Sequence, residues 1–146
     1  MLIKNGFVIT LDPERKAIRD GAVAVEGDRI TAVGKTEGLA REYGSDDVID
    51  ASGKIVMPGL VNAHNHVYQT IMRGTNDDGR RGVPRRTMYS WDIDALQHLD
   101  RDTCYAAGML AAVEMIRSGI TTTQDSHYIN FHRDSIDGVA QSVEES

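Results

Sequence analysis

Along the first third of the chain, apolar residues come in short runs separated by turn chemistry. Leu2-Ile3, Phe7 to Leu11, Gly21 to Val25 and Val48-Ile49 are the runs; Asn5-Gly6, Asp12-Pro13 and Glu26-Gly27-Asp28 lie between them. Glycine, asparagine and proline at such points mark the ends of strands. Arg29 to Val33 alternates polar and apolar residues, so with Gly21 to Val25 it predicts a hairpin. A helical turn is expected over Leu39 to Tyr43, and a further strand at Val48 to Asp50. Strands this short and this closely spaced predict a small β-sandwich or an open sheet.

The pattern then lengthens. Ile55-Val56-Met57 and Leu60-Val61 form an apolar run around Pro58-Gly59, of the kind that makes a buried strand. From Asp100 to Gly119 the period becomes helical: Ala106, Met109, Leu110, Val113 and Ile116 fall on one stripe. Asp102 is the expected cap and Gly119 the left-handed terminator. The stripe should bury against a sheet, with Met109 and Cys104 in the core and Glu114 on a solvated face. Ile120 to Asp125 is β-branched and reads as the next strand, ending in Ser126-His127-Tyr128. Strand, helix, strand predicts a right-handed parallel crossover. Ile136, Val139, Ala140 and Val143 open another amphipathic helix, capped by Asp134 or Ser135.

The candidate chemistry sits where the apolar strand ends. His64 and His66 are two residues apart, and on an extended backbone residues at that spacing point to the same side. On a helix they would diverge by about 200°. Two imidazoles on one side of a strand can share a cation, with Zn–N bonds of about 2.0–2.1 Å. The crossover also brings Ser126-His127-Tyr128 to the rim that carries the two histidines. Tyr128 is thereby a candidate substrate contact, whereas His127 reads as a loop histidine facing solvent or substrate, and His98 and His132 as surface residues.

Composition removes other classes of function. Lys and Arg number 16 against 22 Asp and Glu, a formal charge of −6, which argues against nucleic acid as a partner. The single cysteine, Cys104, excludes an internal disulfide and the two-thiolate zinc site of the Cys-x-x-Cys deaminases. No apolar run approaches a membrane span, and Met1 to Gly6 shows no long apolar region behind a basic start, so a cytoplasmic protein without membrane contact is expected. Between Asn76 and Arg86 the chain is irregular and basic. No phosphate-cradling glycine pattern occurs there; a solvated loop, or a loop over a barrel mouth, is expected.

The stretch Pro58-Gly59-Leu60-Val61-Asn62-Ala63-His64-Asn65-His66 resembles the first-strand signature of the amidohydrolase superfamily, metal-dependent hydrolases built on a (β/α)8 barrel. Its continuation, Val67 to Gly74, is similar to the deaminase and chlorohydrolase branch, whose members process guanine, 8-oxoguanine, adenosine derivatives and triazines. The resemblance implies an α/β fold: a small N-terminal β-sandwich portion over residues 1–56, then the first β/α units of an incomplete TIM barrel over 57–146. It implies that His64 and His66 hold one divalent ion, zinc or iron. It also implies that Gln69 hydrogen-bonds a small heterocyclic substrate and that Trp91 packs on its ring. Arg73, by its residue type alone, is expected to form a structural ion pair with an unidentified acid. A closed barrel takes about 250 residues and this chain has 146. The expectation is therefore the N-terminal part of a longer enzyme, partnered by a missing C-terminal half and open to homo-oligomerisation.

The implied function is hydrolysis of a C–N bond on a purine-, pterin- or triazine-like ring through a metal-activated water. A catalytic zinc takes three protein ligands, and only two are in this chain. The family's remaining ligands and its general acid/base glutamate would follow residue 146, since no His-x-x-Glu occurs here. Two alternatives remain: an inactive fragment or assembly piece, with exposed sheet edges prone to aggregation, and a ring-amide hydrolase of the dihydroorotase type.

Overall fold

The computed structural model describes residues 1–44, 46–73, 97–128 and 130–146. The chain divides into two compact units, Met1–Pro58 and Gly59–Ser146, each with its own core. The basic stretch from Asn76 to Arg86 and Trp91 lie outside the described residues.

The first unit is one open, mixed sheet. β1 (Leu2–Ile9) pairs antiparallel with β2 (Ala17–Glu26), which turns through Gly27 into β3 (Arg29–Lys35). The hairpin is where the alternation predicted it, and Gly27 takes the positive φ of 59° that the turn requires. On its other edge β1 pairs parallel with β4 (Val48–Asp50) and then β5 (Ile55–Val56). Leu2, Ala22, Ala24 and Leu39 form the core, Leu39 coming from α1 (Thr36–Glu42).

Asn5-Gly6, expected from sequence to break the first strand, bends it instead. Asn5 sits at φ 64° with a register shift between Ile3 and Gly6. Its side chain donates to Asp50 Oδ1 at 2.9 Å, and its backbone N–H to Thr36 Oγ1 at 3.0 Å. These bonds hold a conformation that asparagine tolerates better than most residues. Gly6 is needed for space, because a Cβ there would stand 2.7 Å from Val56 Cγ2.

In the second unit β6 (Leu60–Asn65) and β7 (Ile120–Asp125) pair in parallel. A 3-10 segment, Val67–Met72, follows β6, and α2 (Arg101–Arg117) and α3 (Ser135–Glu145) pack on each other. Val67, Tyr68, Met72, Leu99, Cys104, Ala111 and Val139 make the core; burying an aliphatic side chain of this size contributes about 1.5–3 kcal/mol. The apolar run at 55–61 is extended as expected but not buried. Ile55 is 62 % exposed and Val61 68 %, because no described element covers them.

The helices correct the expected faces. α2 is capped by Asp100, not Asp102: the Asp100 carboxylate accepts from Thr103 N at 2.9 Å, the usual reach from a cap to the third helical residue. Gly119 does end the helix in the left-handed region, at φ 75°. The buried residues of α2 are Cys104, Ala107, Gly108, Ala111 and Ala112. Leu110, Val113 and Ile116 are exposed and Met109 is half-buried. Small residues take the contact because the two helices approach closely at Gly108 and Gly138. On α3, likewise, Gly138, Val139 and Ser142 are buried while Ile136, Ala140 and Val143 are exposed. Asp134 occupies its cap position without a side-chain bond. No described helix is long and apolar enough to cross a membrane.

Candidate functional site

The site begins at the end of β6. The ladder between β6 and β7 slips between Asn62 and Asn65, and the Asn62 side chain accepts from His64 N at 3.3 Å. Such irregularities re-aim side chains next to functional sites. His64 is the last residue but one of the strand, and His66 lies just beyond its end, where the chain leaves the extended conformation (φ −124°, ψ 81°) for the 3-10 segment. Their ring centroids are 4.8 Å apart and the planes cross at 80°. The two imidazoles are neighbours, as the strand spacing predicts.

β7 supports this arrangement from the other side. Ser126 N donates to Asn65 O at 2.8 Å, prolonging the ladder, and Ser126 O lies 2.9 Å from His66 Nδ1. A carbonyl oxygen only accepts, so Nδ1 carries the hydrogen and the Nε2 lone pair is left for another partner. A ring fixed by a carbonyl behind it is the orientation metal-binding histidines use. Asp125 Oδ1 accepts from Val67 N at 2.9 Å, starting the 3-10 segment that carries Tyr68 and Gln69.

Gln69 and Tyr128 meet at the same place. Gln69 Nε2 donates to Tyr128 Oη at 3.3 Å, and the Tyr128 ring stands edge-on to His66 with centroids 5.0 Å apart. Four of the five residues singled out from sequence, His64, His66, Gln69 and Tyr128, thus share one rim; the fifth, Trp91, lies outside the described residues. An open recess of about 340 Å³ is walled by His64, His66, Gln69, Arg73 and Glu114. Arg73 finds its acid in Glu114, at 2.5 Å. Both side chains are about half exposed, so the pair is worth at most about 1 kcal/mol and chiefly shapes the recess wall.

Two residues stand elsewhere than the sequence suggested. His127 is not a solvated loop residue: its side chain is 3 % exposed. Tyr68, not singled out at all, is completely buried, and it lies within ring contact of His66, Tyr128 and His127. Its position two residues past His66 was the available signal. Among the described residues no group of three or more His, Cys, Asp or Glu could hold a metal ion, so the histidine pair offers part of a donor set.

The model of the amidohydrolase family matches residues 55–146, and an imidazolonepropionase-like composite domain matches residues 21–44. A 5'-deoxyadenosine deaminase of Methanosarcina mazei is 36 % identical over 146 residues, 100 % of this chain and 31 % of that protein. A 5-methylthioadenosine/S-adenosylhomocysteine deaminase of Syntrophobacter fumaroxidans is 41 % identical over 128 residues, 87 % of this chain and 28 % of that protein. An adenosine deaminase of Xanthomonas campestris, solved with bound zinc, superposes with a TM-score of 0.82 at 27 % identity, over 99 % of this chain and 31 % of that one. The chain spans less than a third of each of these relatives. With the family model covering more than half of its length and relatives more than 30 % identical along all or most of it, this chain belongs to the amidohydrolase family.

Proposed function

We propose that this chain is the N-terminal part of a metal-dependent aminohydrolase that releases ammonia from the adenine-type ring of a small nucleoside derivative. The observation that carries the reading is the His66 ring, held through Nδ1 by the Ser126 carbonyl and standing beside His64. That donor chemistry suits an imidazole-bound divalent ion, and a relative of similar fold was solved with zinc. When bound, the ion supplies Lewis acidity that lowers the pKa of a water toward about 7.

The chain's own residues bind and orient. His64 and His66 are two of the ligands. Gln69, whose amide N–H is engaged by Tyr128, turns its carbonyl oxygen to a ring N–H or exocyclic amine of the substrate. Tyr128 borders the ring beside His66, and Trp91 stacks on its face. Named relatives act on 5'-deoxyadenosine, 5-methylthioadenosine and S-adenosylhomocysteine, which favours a purine over a pterin or triazine. The Arg73–Glu114 pair closes the wall of a recess wide enough for a substituent on such a ring.

A second reading, that residues 1–146 are inactive alone, is favoured by the donor set: two imidazoles are present where a catalytic zinc takes three protein ligands. Both are tested together. The chain is expressed alone and with any continuation of its reading frame, then assayed for ammonia release from adenosine derivatives, guanine and aminated triazines, with metal analysis alongside. Adenosine-derivative deamination by the extended protein, lost with zinc in His64→Ala and His66→Ala, is the expected result. Unchanged turnover in both variants would overturn the assignment; turnover by residues 1–146 alone would overturn the second reading.

A further inference from the structure

His127 is buried without any role in the reading above. Its Nε2 lies 3.2 Å from Ser135 Oγ, and the Ser135 hydroxyl donates to Asn130 Oδ1 at 3.2 Å. With its one hydrogen committed to Asn130, Ser135 Oγ accepts from His127, so the ring carries its hydrogen on Nε2. The other nitrogen, Nδ1, is buried with no hydrogen bond. The nearest carboxylate oxygen, Asp125 Oδ2, is 3.6 Å away, beyond hydrogen-bond reach.

Hydrogen bonding thus holds the ring from Nε2 alone, and its other support is aromatic packing. His127 seats edge-on against Tyr68, centroids 5.0 Å apart and planes at 66°. Tyr68 is completely buried. It also meets the Tyr128 ring at 6.0 Å and the His66 ring at 6.4 Å, and Gln69 Nε2 lies 3.4 Å from its hydroxyl. The groups assigned above to metal and substrate therefore lean on one buried ring, and that ring leans on His127.

We propose that His127 is a positioning residue: locked onto Ser135 as the Nε2–H tautomer, it fixes Tyr68 and through it the placement of Gln69 and Tyr128. The residues it would position take their roles from the proposed function, on which this inference rests. Because Gln69 and Tyr128 are assigned to substrate binding, loosening their support should weaken ground state and transition state alike, raising KM and leaving kcat.

The test uses His127→Phe, Ser135→Ala and the double variant in the full-length protein, with KM and kcat, zinc content, thermal midpoint and a ring-nitrogen NMR spectrum of the histidines. Each single change should raise KM about two- to tenfold, the range of one aromatic contact. Zinc content should stay unchanged, and the double variant should be no worse than the larger single, since both break one link. Unchanged KM, additive effects, or a spectrum placing the His127 hydrogen on Nδ1 would overturn the proposal. If His127→Phe fails to fold, Ser135→Ala, which removes a single oxygen, decides. If the parent deaminates nothing, the functional reading falls, and the spectrum still decides: a fixed Nε2–H form that becomes mixed in Ser135→Ala supports positioning, and a parent ring already mixed rejects it.

Discussion

Gly108 and Ser142 set the distance between α2 and α3: a Cβ on the glycine would stand 2.7 Å from the serine Cβ, closer than packed carbons come. Gly138 is the counterpart on α3, where a Cβ would stand 2.9 Å from Tyr105 N and clash with the Arg101 carbonyl. Helices joined this tightly bury glycine, alanine and serine, and leave larger apolar residues outside.

Gly108→Ala should therefore destabilise the second unit by about 1–3 kcal/mol, the usual penalty for overpacking. Ser142→Gly in the same chain should recover most of it, because the obstacle is a side chain. Gly138→Ala should be worse and admit no such rescue, since it meets backbone. Denaturant unfolding of the three variants measures the order.

Asp125 accepts the Val67 N–H at the start of the 3-10 segment. Asp125→Ala leaves that donor without its partner, which should lower stability by about 1–3 kcal/mol. Asp125→Asn keeps an acceptor oxygen and should lose less than half as much. Thermal melts of the two variants against the parent check the ranking.

Hydrogen bonds from Ser52, then from Asn5, hold the Asp50 carboxyl below its usual 3.8, at about 2. A carboxylate depressed on folding contributes stability at pH above 3.8, and the contribution is lost as pH falls through about 2. Unfolding measured from pH 5 to 2 should show this loss in the parent and a flatter profile in Asp50→Asn. An equally steep profile in the variant would remove Asp50 from the explanation.

Burial, followed by the nearby carboxylate of Asp100, pushes the Cys104 thiol from 9.0 up to about 11, and the residue is wholly inaccessible. Only the thiolate reacts, so at pH 8 alkylation of the native chain should be slower than that of the unfolded chain by about 100-fold or more. The ratio of labelling rates with and without denaturant is the measurement.

Elements with a clear period were legible in the sequence. The hairpin, the strand at Val48–Asp50 and the end of the helix before Gly119 stand where alternation, turn residues and the terminating glycine placed them. Burial was less legible. Along α2 two stripes share the helical spacing, Met109-Leu110-Val113-Ile116 and Cys104-Ala107-Gly108-Ala111, and hydrophobicity favoured the first, of which only Met109 is even half-buried. The choice is made by Gly138, on a helix some thirty residues away. At the site, the spacing of a strand was enough to expect His64 and His66 as neighbours, although the ladder slips beside them and His66 lies past the strand's end. The Ser126 carbonyl behind His66 left no trace, because a backbone acceptor has no residue type. The burial of His127 depends on Ser135 in the following helix, a contact no local pattern encodes.

β1 is the seam of the first sheet: its antiparallel edge holds the β2–β3 hairpin, and its other edge alone among described residues holds β4 and β5. The hairpin closes over two residues, whereas Leu2 must find Val48 and Phe7 must find Ile55 across the whole of β2, β3 and α1, a sequence separation whose closure entropy has to be met before either parallel ladder forms. The two parallel strands should accordingly be the last to zip and the first to peel away. Their amides should exchange with deuterium through a local opening that leaves the hairpin protected.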